Sequence, residues 1–271
     1  METSSREFEI ADATHVRVKE TNLLHASDAV FWLDGASASE TAAMDRIMAP
    51  LDIRFTEKPT AINFLHTQGK TAFWYKPNQP MHSGAASATE RTRPAAINFS
   101  IRGNARDLSG RFNPIAFELL LGDGNGRAVV LYPAPQGVSV PAGGLVQGRV
   151  VIKATGEPLI WGVLHLEVTL GMDETLDFYG QTNAMGDFRI ALTRLPPLPI
   201  SVTEYSAHLG ITGDLSASAI TPINPSDLSE LALESATEAD SFSQKMSVTI
   251  LPGNIQRINS VNKLFIAVQT V

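Results

Sequence analysis

Apolar residues along most of this chain come in short runs or alternate with polar ones, which is the spacing of strands and not of helices. Leu51, Ile53 and Phe55 alternate with Asp52, Arg54 and Thr56, setting three apolar side chains on one face of an extended segment. The runs 61–65 and 71–75 flank Gln68-Gly69-Lys70 and predict a hairpin. A second hairpin is predicted for 117–121 and 128–132. Between them lies Gly122-Asp123-Gly124-Asn125-Gly126, whose glycines and Asn supply the positive-φ positions that such a turn demands. Residues 8–19 alternate weakly through Val16 and Val18, 29–33 run apolar into Asp34-Gly35, and 99–102 and 246–251 read as further strands. The run 263–269 predicts a last strand paired into a sheet.

Two segments break this pattern. Ser37 and Glu40 have the spacing of a capping box ahead of 41–48, predicting a helix of about ten residues stopped by Pro50. Asn224 followed by Pro225 predicts a second helix, with Leu228, Leu231, Ala232 and Ser235 on one face and Asp227, Glu230 and Glu234 turned away. Residues 79–93 have no period and carry Pro80, so they read as a long loop, often an interaction element. The hexamer ending at Phe64 echoes the one ending at Phe99, but without a third copy this does not make a solenoid.

The stretch 145–202 holds apolar runs separated by Thr155-Gly156-Glu157-Pro158 and Asn183-Ala184-Met185-Gly186-Asp187, and closed by Pro196-Pro197. It reads as strand, turn, strand, long loop, strand, turn, strand. The Pro- and Gly-rich segment from Tyr132 to Gly144 is the best linker in the chain. We therefore expect a mainly β protein of two tandem β-sandwich-type domains with one or two short helices, residues 1–140 and 144–271. A length of 271 residues accommodates two such units.

The residues of that stretch also carry a likeness. Gly148-Arg149-Val150-Val151, the Thr155–Pro158 turn with Leu159, Gly162-Val163-Leu164-His165-Leu166, Thr182 to Ile190 and Leu195-Pro196-Pro197 together resemble a carboxypeptidase regulatory-like domain, the transthyretin-like (prealbumin-type) β-sandwich. The resemblance implies a non-catalytic scaffold in which Gly186 turns the chain so that Phe188 and Ile190 enter the core. The chain departs from the family pattern at the longer, acidic loop 170–179. It departs again at Ile200-Ser201-Val202-Thr203, where the family has its terminal strand, so the register of that strand is open.

A net charge of −7 repels phosphate backbones, and the arginines at 91, 93, 102, 106 and 111 are thinly spread, so no nucleic-acid partner is expected. With no cysteine, disulfides, thiolate metal sites and cysteine nucleophiles are excluded. No window is apolar enough to span a membrane, and the N-terminal residues have no signal-like apolar core, so the expectation is a chain that stays in the cytoplasm of the cell that makes it. A later release by lysis would leave the same signature, and incorporation into a virion or injection particle is compatible with it.

The six histidines show no metal-pair spacing. His165-Leu166-Glu167 mimics half of a zinc-deaminase signature whose cysteine half this chain lacks. No Gly-Xaa-Ser-Xaa-Gly elbow is present. Asp173, Glu174 and Asp177 match no established calcium loop and read as solvated acids. Trp32, Trp74 and Trp161 stand at the apolar ends of strands and read as packing residues. No catalytic, cofactor or metal residue is therefore expected. The sequence points to a non-enzymatic structural or adaptor subunit of a large assembly, such as a phage tail, baseplate or contractile injection particle. Its partners would be other protein subunits in a homo- or hetero-oligomer, with Trp74, Tyr75, Phe265 and Ile266 as candidate interface anchors. The alternative is a stand-alone carbohydrate- or peptide-binding β-sandwich.

Overall fold

Among the described residues, seven strands build the first half of the protein: β1 (Asp28–Asp34), β2 (Leu51–Glu57), β3 (Ile62–Thr67), β4 (Lys70–Tyr75), β5 (Phe99–Asp107), β6 (Ile115–Leu121) and β7 (Arg127–Leu131). The structure, a computed structural model, describes residues 28–75, 98–171 and 174–271; the strand expected at 8–19 and the loop expected at 79–93 lie outside the described residues. One sheet has the order β3-β4-β1-β7 and the other β2-β5-β6. Within the first, β1 pairs antiparallel with β4 and parallel with β7.

The predicted alternation decides which side chains meet between these sheets. Val30, Trp32, Ile62, Phe73, Val129 and Leu131 face Leu51, Ile101, Ala105, Ile115, Phe117 and Leu121 in one buried cluster. The Trp32 ring meets Phe117 edge-on at 5.4 Å, and its indole N–H donates to the Thr71 hydroxyl at 2.9 Å, so the one polar atom of this large side chain is satisfied. The hairpin from β5 to β6 is held by the Asp107 carboxylate, which accepts from the backbone N–H of Ser109, Arg111 and Phe112. Burial alone would raise its pKa, but these donors hold it below the usual range. Gly103 is required where β2 crosses β5, since a Cβ there would lie 2.3 Å from the Arg54 carbonyl oxygen.

Ten strands follow: β8 (Leu145–Ile152), β9 (Val163–Gly171), β10 (Glu174–Gln181), β11 (Asp187–Ala191), β12 (Tyr205–Gly213), β13 (Ser229–Glu234), β14 (Phe242–Ser243), β15 (Lys245–Ile250), β16 (Ile255–Arg257) and β17 (Ile266–Thr270). Their path is β10-β9-β12-β13-β17-β8-β11, with β14 on β13, β15 on β12 and β16 on β8. The turn is made at β13, which pairs with β12 through Ser229 and Glu230 and with β17 through the next three residues. The two layers so formed enclose a second cluster containing Val150, Leu166, Phe178, Phe188, Leu209, Leu233 and Val268. The Asn183–Asp187 turn behaves as its sequence implies. Gly186 takes φ 76°, the Asn183 side chain accepts from the N–H of Met185 and Asp187, and Phe188 and Ile190 are buried.

Several expectations are corrected. The hairpin expected from 117–121 and 128–132 does not form: β6 pairs with β5 in one sheet and β7 pairs parallel with β1 in the other, so 122–126 crosses between the sheets. The helix at 41–48 is only a three-residue 3-10 turn, Thr41–Ala43. The Ser37 hydroxyl that would cap it binds Asp34 O and Asp45 N, and the following residues join the sheet through Ile47 N–H to Trp32 O, which buries Ile47. Asn224 does cap a turn, Pro225–Asp227, but the predicted helix beyond it is strand β13. Its Leu231 and Leu233 are buried by neighbours that only the tertiary fold supplies. The acidic loop 170–179 is mostly a ladder of β9 with β10. Residues 200 and 201 lie in a turn closed by Val202 N–H donating to Pro199 O, Ile200 is exposed, and the next strand begins at Tyr205.

The segment between the halves is tied down. Ala134 N–H donates to Arg111 O, Pro135–Gly137 forms a 3-10 turn, and Asn113 Nδ2 donates to Thr182 O at 3.3 Å across the junction. Tyr132 is half-buried there beside Tyr179, and its hydroxyl is pushed up to about 12, chiefly by burial.

Leu166, fully buried in the second cluster, gives a direct measure of that core. Leu166→Ala should lower the unfolding free energy by about 2–5 kcal/mol in urea titrations. Leu166→Met, which keeps the volume, should cost less than about 1.5 kcal/mol.

Candidate interaction site

The pleat that buries one set of side chains in the first half turns the alternate set outward. On the outer face of β3-β4-β1-β7 that set is apolar. Register aligns Leu65 with Ala72 and Ala29, and Phe31 with Ala128, while Trp74 stands opposite Asn63 on the same face. Leu65 is 43% exposed, Ala128 is exposed, and Ala29, Phe31, Ala72, Trp74 and Val130 are half-buried. The Phe31 ring carries the Arg46 guanidinium at 4.6 Å and the Lys70 ammonium at 5.7 Å, so cations border the patch on one side. At the β3 edge, Phe64 is 40% exposed while its ring packs edge-on to Phe55 at 4.7 Å.

Of the four anchors read from the sequence, Trp74 lies on this face. Tyr75 follows it in β4 opposite Ile62, and its side chain lies outside the described residues. Phe265 is elsewhere, half-buried before β17 with the Lys263 ammonium 5.9 Å from its ring. Ile266 is fully buried in the second core beside Val150, so it is a core residue and not an exposed anchor. The sequence reading missed Phe31 and Leu65. Their shared face depends on pairing between strands far apart in the chain, although the unbroken apolar run 29–33 was a signal that both faces of β1 are apolar.

The outer face of β10-β9-β12-β15 is polar by contrast. His165 Nε2 lies 2.6 Å from Asp177 Oδ1, and its ring stacks on Tyr179 at 4.8 Å and 11°. Lys245 bridges to Glu167 at 2.8 Å. Asp177, one of the three acids considered for calcium, is thus engaged by His165, Glu174 is exposed, and Asp173 lies outside the described residues. Among the described residues no group of three or more His, Asp or Glu side chains could hold a metal ion. Trp32 and Trp161 are buried, in line with a packing role.

One ion pair reaches into the second half's interior. The Glu234 carboxylate is 1% exposed and accepts from the Lys263 ammonium and from Asp240 N–H. Burial alone would raise its pKa, but Lys263 and the backbone donor hold it below the ordinary 4.5.

No protein-family model matches the chain, and no curated protein matches it at a significant level. Among solved structures, GBS52, the minor pilin of the gram-positive pathogen Streptococcus agalactiae, aligns over 90% of this chain and 95% of that one at 12% identity and a TM-score of 0.23. So loose a superposition leaves the role of this chain to its own residues.

The Glu234–Lys263 pair makes stability depend on pH in one direction. A carboxyl with a lowered folded pKa stabilises above its unfolded value and loses that contribution as pH falls through the folded one. Glu234→Gln should therefore cost on the order of 2 kcal/mol at neutral pH. The gap from wild type should close as the pH of urea titrations falls below 4.5.

Proposed function

We propose that the chain is a non-enzymatic structural or adaptor subunit that docks onto neighbouring protein subunits through the outer face of β3-β4-β1-β7. The observation that carries this reading is the composition of that face: Leu65, Ala72, Trp74, Ala29, Phe31, Ala128 and Val130 lie together where a sheet facing water ordinarily alternates to polar residues. Contiguous exposed apolar surface of this kind marks interaction sites. Trp74 and Phe31 are the side chains best suited to act as anchors, since buried aromatics dominate interface energetics. Arg46 and Lys70 give the patch a cationic border that orients an incoming partner.

The finer reading is a subunit of a phage-tail, baseplate or contractile-injection type of particle, made in the cytoplasm and assembled there. In it the second half is a carboxypeptidase regulatory-like sandwich that holds the docking half in place. The two-layered core at 145–268 and the Asn183–Asp187 turn support that assignment of the second half. Tandem rigid sandwiches suit a load-bearing adaptor.

Light scattering coupled to size exclusion tests the docking face. The wild-type chain, of 29.2 kDa, should run as a higher-mass species that grows with concentration, and Leu65→Glu/Trp74→Glu should return it to monomer mass with its melting temperature within a few degrees of wild type. A wild-type chain that stays at monomer mass throughout and shifts on a glycan array would instead be a stand-alone binding module.

A further inference from the structure

A cleft of about 560 Å³ opens where the segment between the two halves passes the outer face of the β11-β8-β16 layer. Pro135 and Gln136 form one wall. The floor is a cross-strand row: Arg189 on β11 stands opposite Gln147 on β8, and Gln147 stands opposite Arg257 on β16. Neighbouring strands lie roughly 4.8 Å apart, so the two arginine backbones are about 10 Å apart with Gln147 between them.

Several cations among the described residues are matched by carboxylates. Arg149, on the next rung, is bonded to Asp187 at 2.7 and 3.2 Å, which occupies the carboxylate nearest the row. Arg127, Arg102, Arg54 and Lys245 likewise have carboxylate partners. Arg189 and Arg257 have none among the described residues, and neither their guanidinium groups nor the Gln147 amide makes a side-chain hydrogen bond there. Two guanidinium groups without carboxylate partners, flanking a free amide, make this cleft locally cationic in a chain of net charge −7.

We propose that this cleft receives an acidic peptide segment of a partner protein, with Arg189 and Arg257 each taking one carboxylate and Gln147 the peptide backbone between them. The planar guanidinium fork matches a carboxylate with two parallel hydrogen bonds. An extended peptide places same-side side chains roughly 7 Å apart, a spacing the row spans. A nucleic acid, the other polyanion a guanidinium pair could take, would bring many phosphates against an acidic surface.

The test is fluorescence anisotropy of the full chain with a labelled peptide of alternating glutamate and glycine, and separately with a labelled single-stranded oligonucleotide. Wild type should bind the peptide, with affinity falling as salt rises. Arg189→Ala/Arg257→Ala should weaken it at least about tenfold. Arg106→Ala, which removes an exposed arginine outside the cleft, should leave it unchanged, and unchanged melting temperatures show that the variants fold. The proposal is overturned if the peptide does not bind, if Arg106→Ala weakens it as much, or if the oligonucleotide binds more tightly. Anisotropy reads the cleft whatever the oligomeric state, so its failure would leave the docking face of β3-β4-β1-β7 standing.

Discussion

A strand in a layered protein can turn only every second side chain inward, and the backbone groups of each strand must find partners in the sheet plane. Everything else here follows from how the chain meets that constraint twice. In the first half two small sheets press their apolar sets together around Trp32, Phe73 and Phe117. In the second, ten strands fold over a single larger core by bending at β13. The faces left outside then differ in character, and that difference is the functional signal. Polar side chains cover β10-β9-β12-β15, an arginine row lies on β11-β8-β16, and apolar residues cover β3-β4-β1-β7.

Where strands and their turns are local, the sequence was enough. The hairpin through Gln68-Gly69-Lys70 was legible because turn chemistry and alternation agreed. The Asn183–Asp187 turn was legible for the same reason. The errors came where local signals competed with distant ones. Residues 122–126 read as a hairpin turn but carry the chain from β6 in one sheet to β7 in the other, where β7 pairs with the distant β1. Ser37 and Glu40 have helix-start spacing, but Asp45 and Arg46 find β1 and are taken into its edge. Leu228, Leu231 and Ala232 have helical spacing too, yet Leu231 and Leu233 are buried because β12 and β17 flank them. The segment 170–179 reads as an acidic loop because its acids mask the alternation of Phe178 with its neighbours in β10.

The candidate sites were less legible than the fold. Trp74 could be singled out as an aromatic at a strand end, but nothing local tells a half-exposed aromatic from a core residue, as Ile266 illustrates. The Arg189–Gln147–Arg257 row joins three strands of which one pairing is antiparallel and the other parallel. No spacing along the chain encodes such a row, because it exists only as register.

The parallel ladder between β17 and β8 also governs when this protein can form. β11 can pair with residues 145–149 of β8 early, but Ile266 pairs with Val150, so the 150–152 end of β8 waits for its β17 partner until more than a hundred further residues have left the ribosome. Contacts that distant make for slow closure, and meanwhile Val150 and Ile152 face water on a nascent chain. A sandwich wired this way completes its second core only when its last strand arrives.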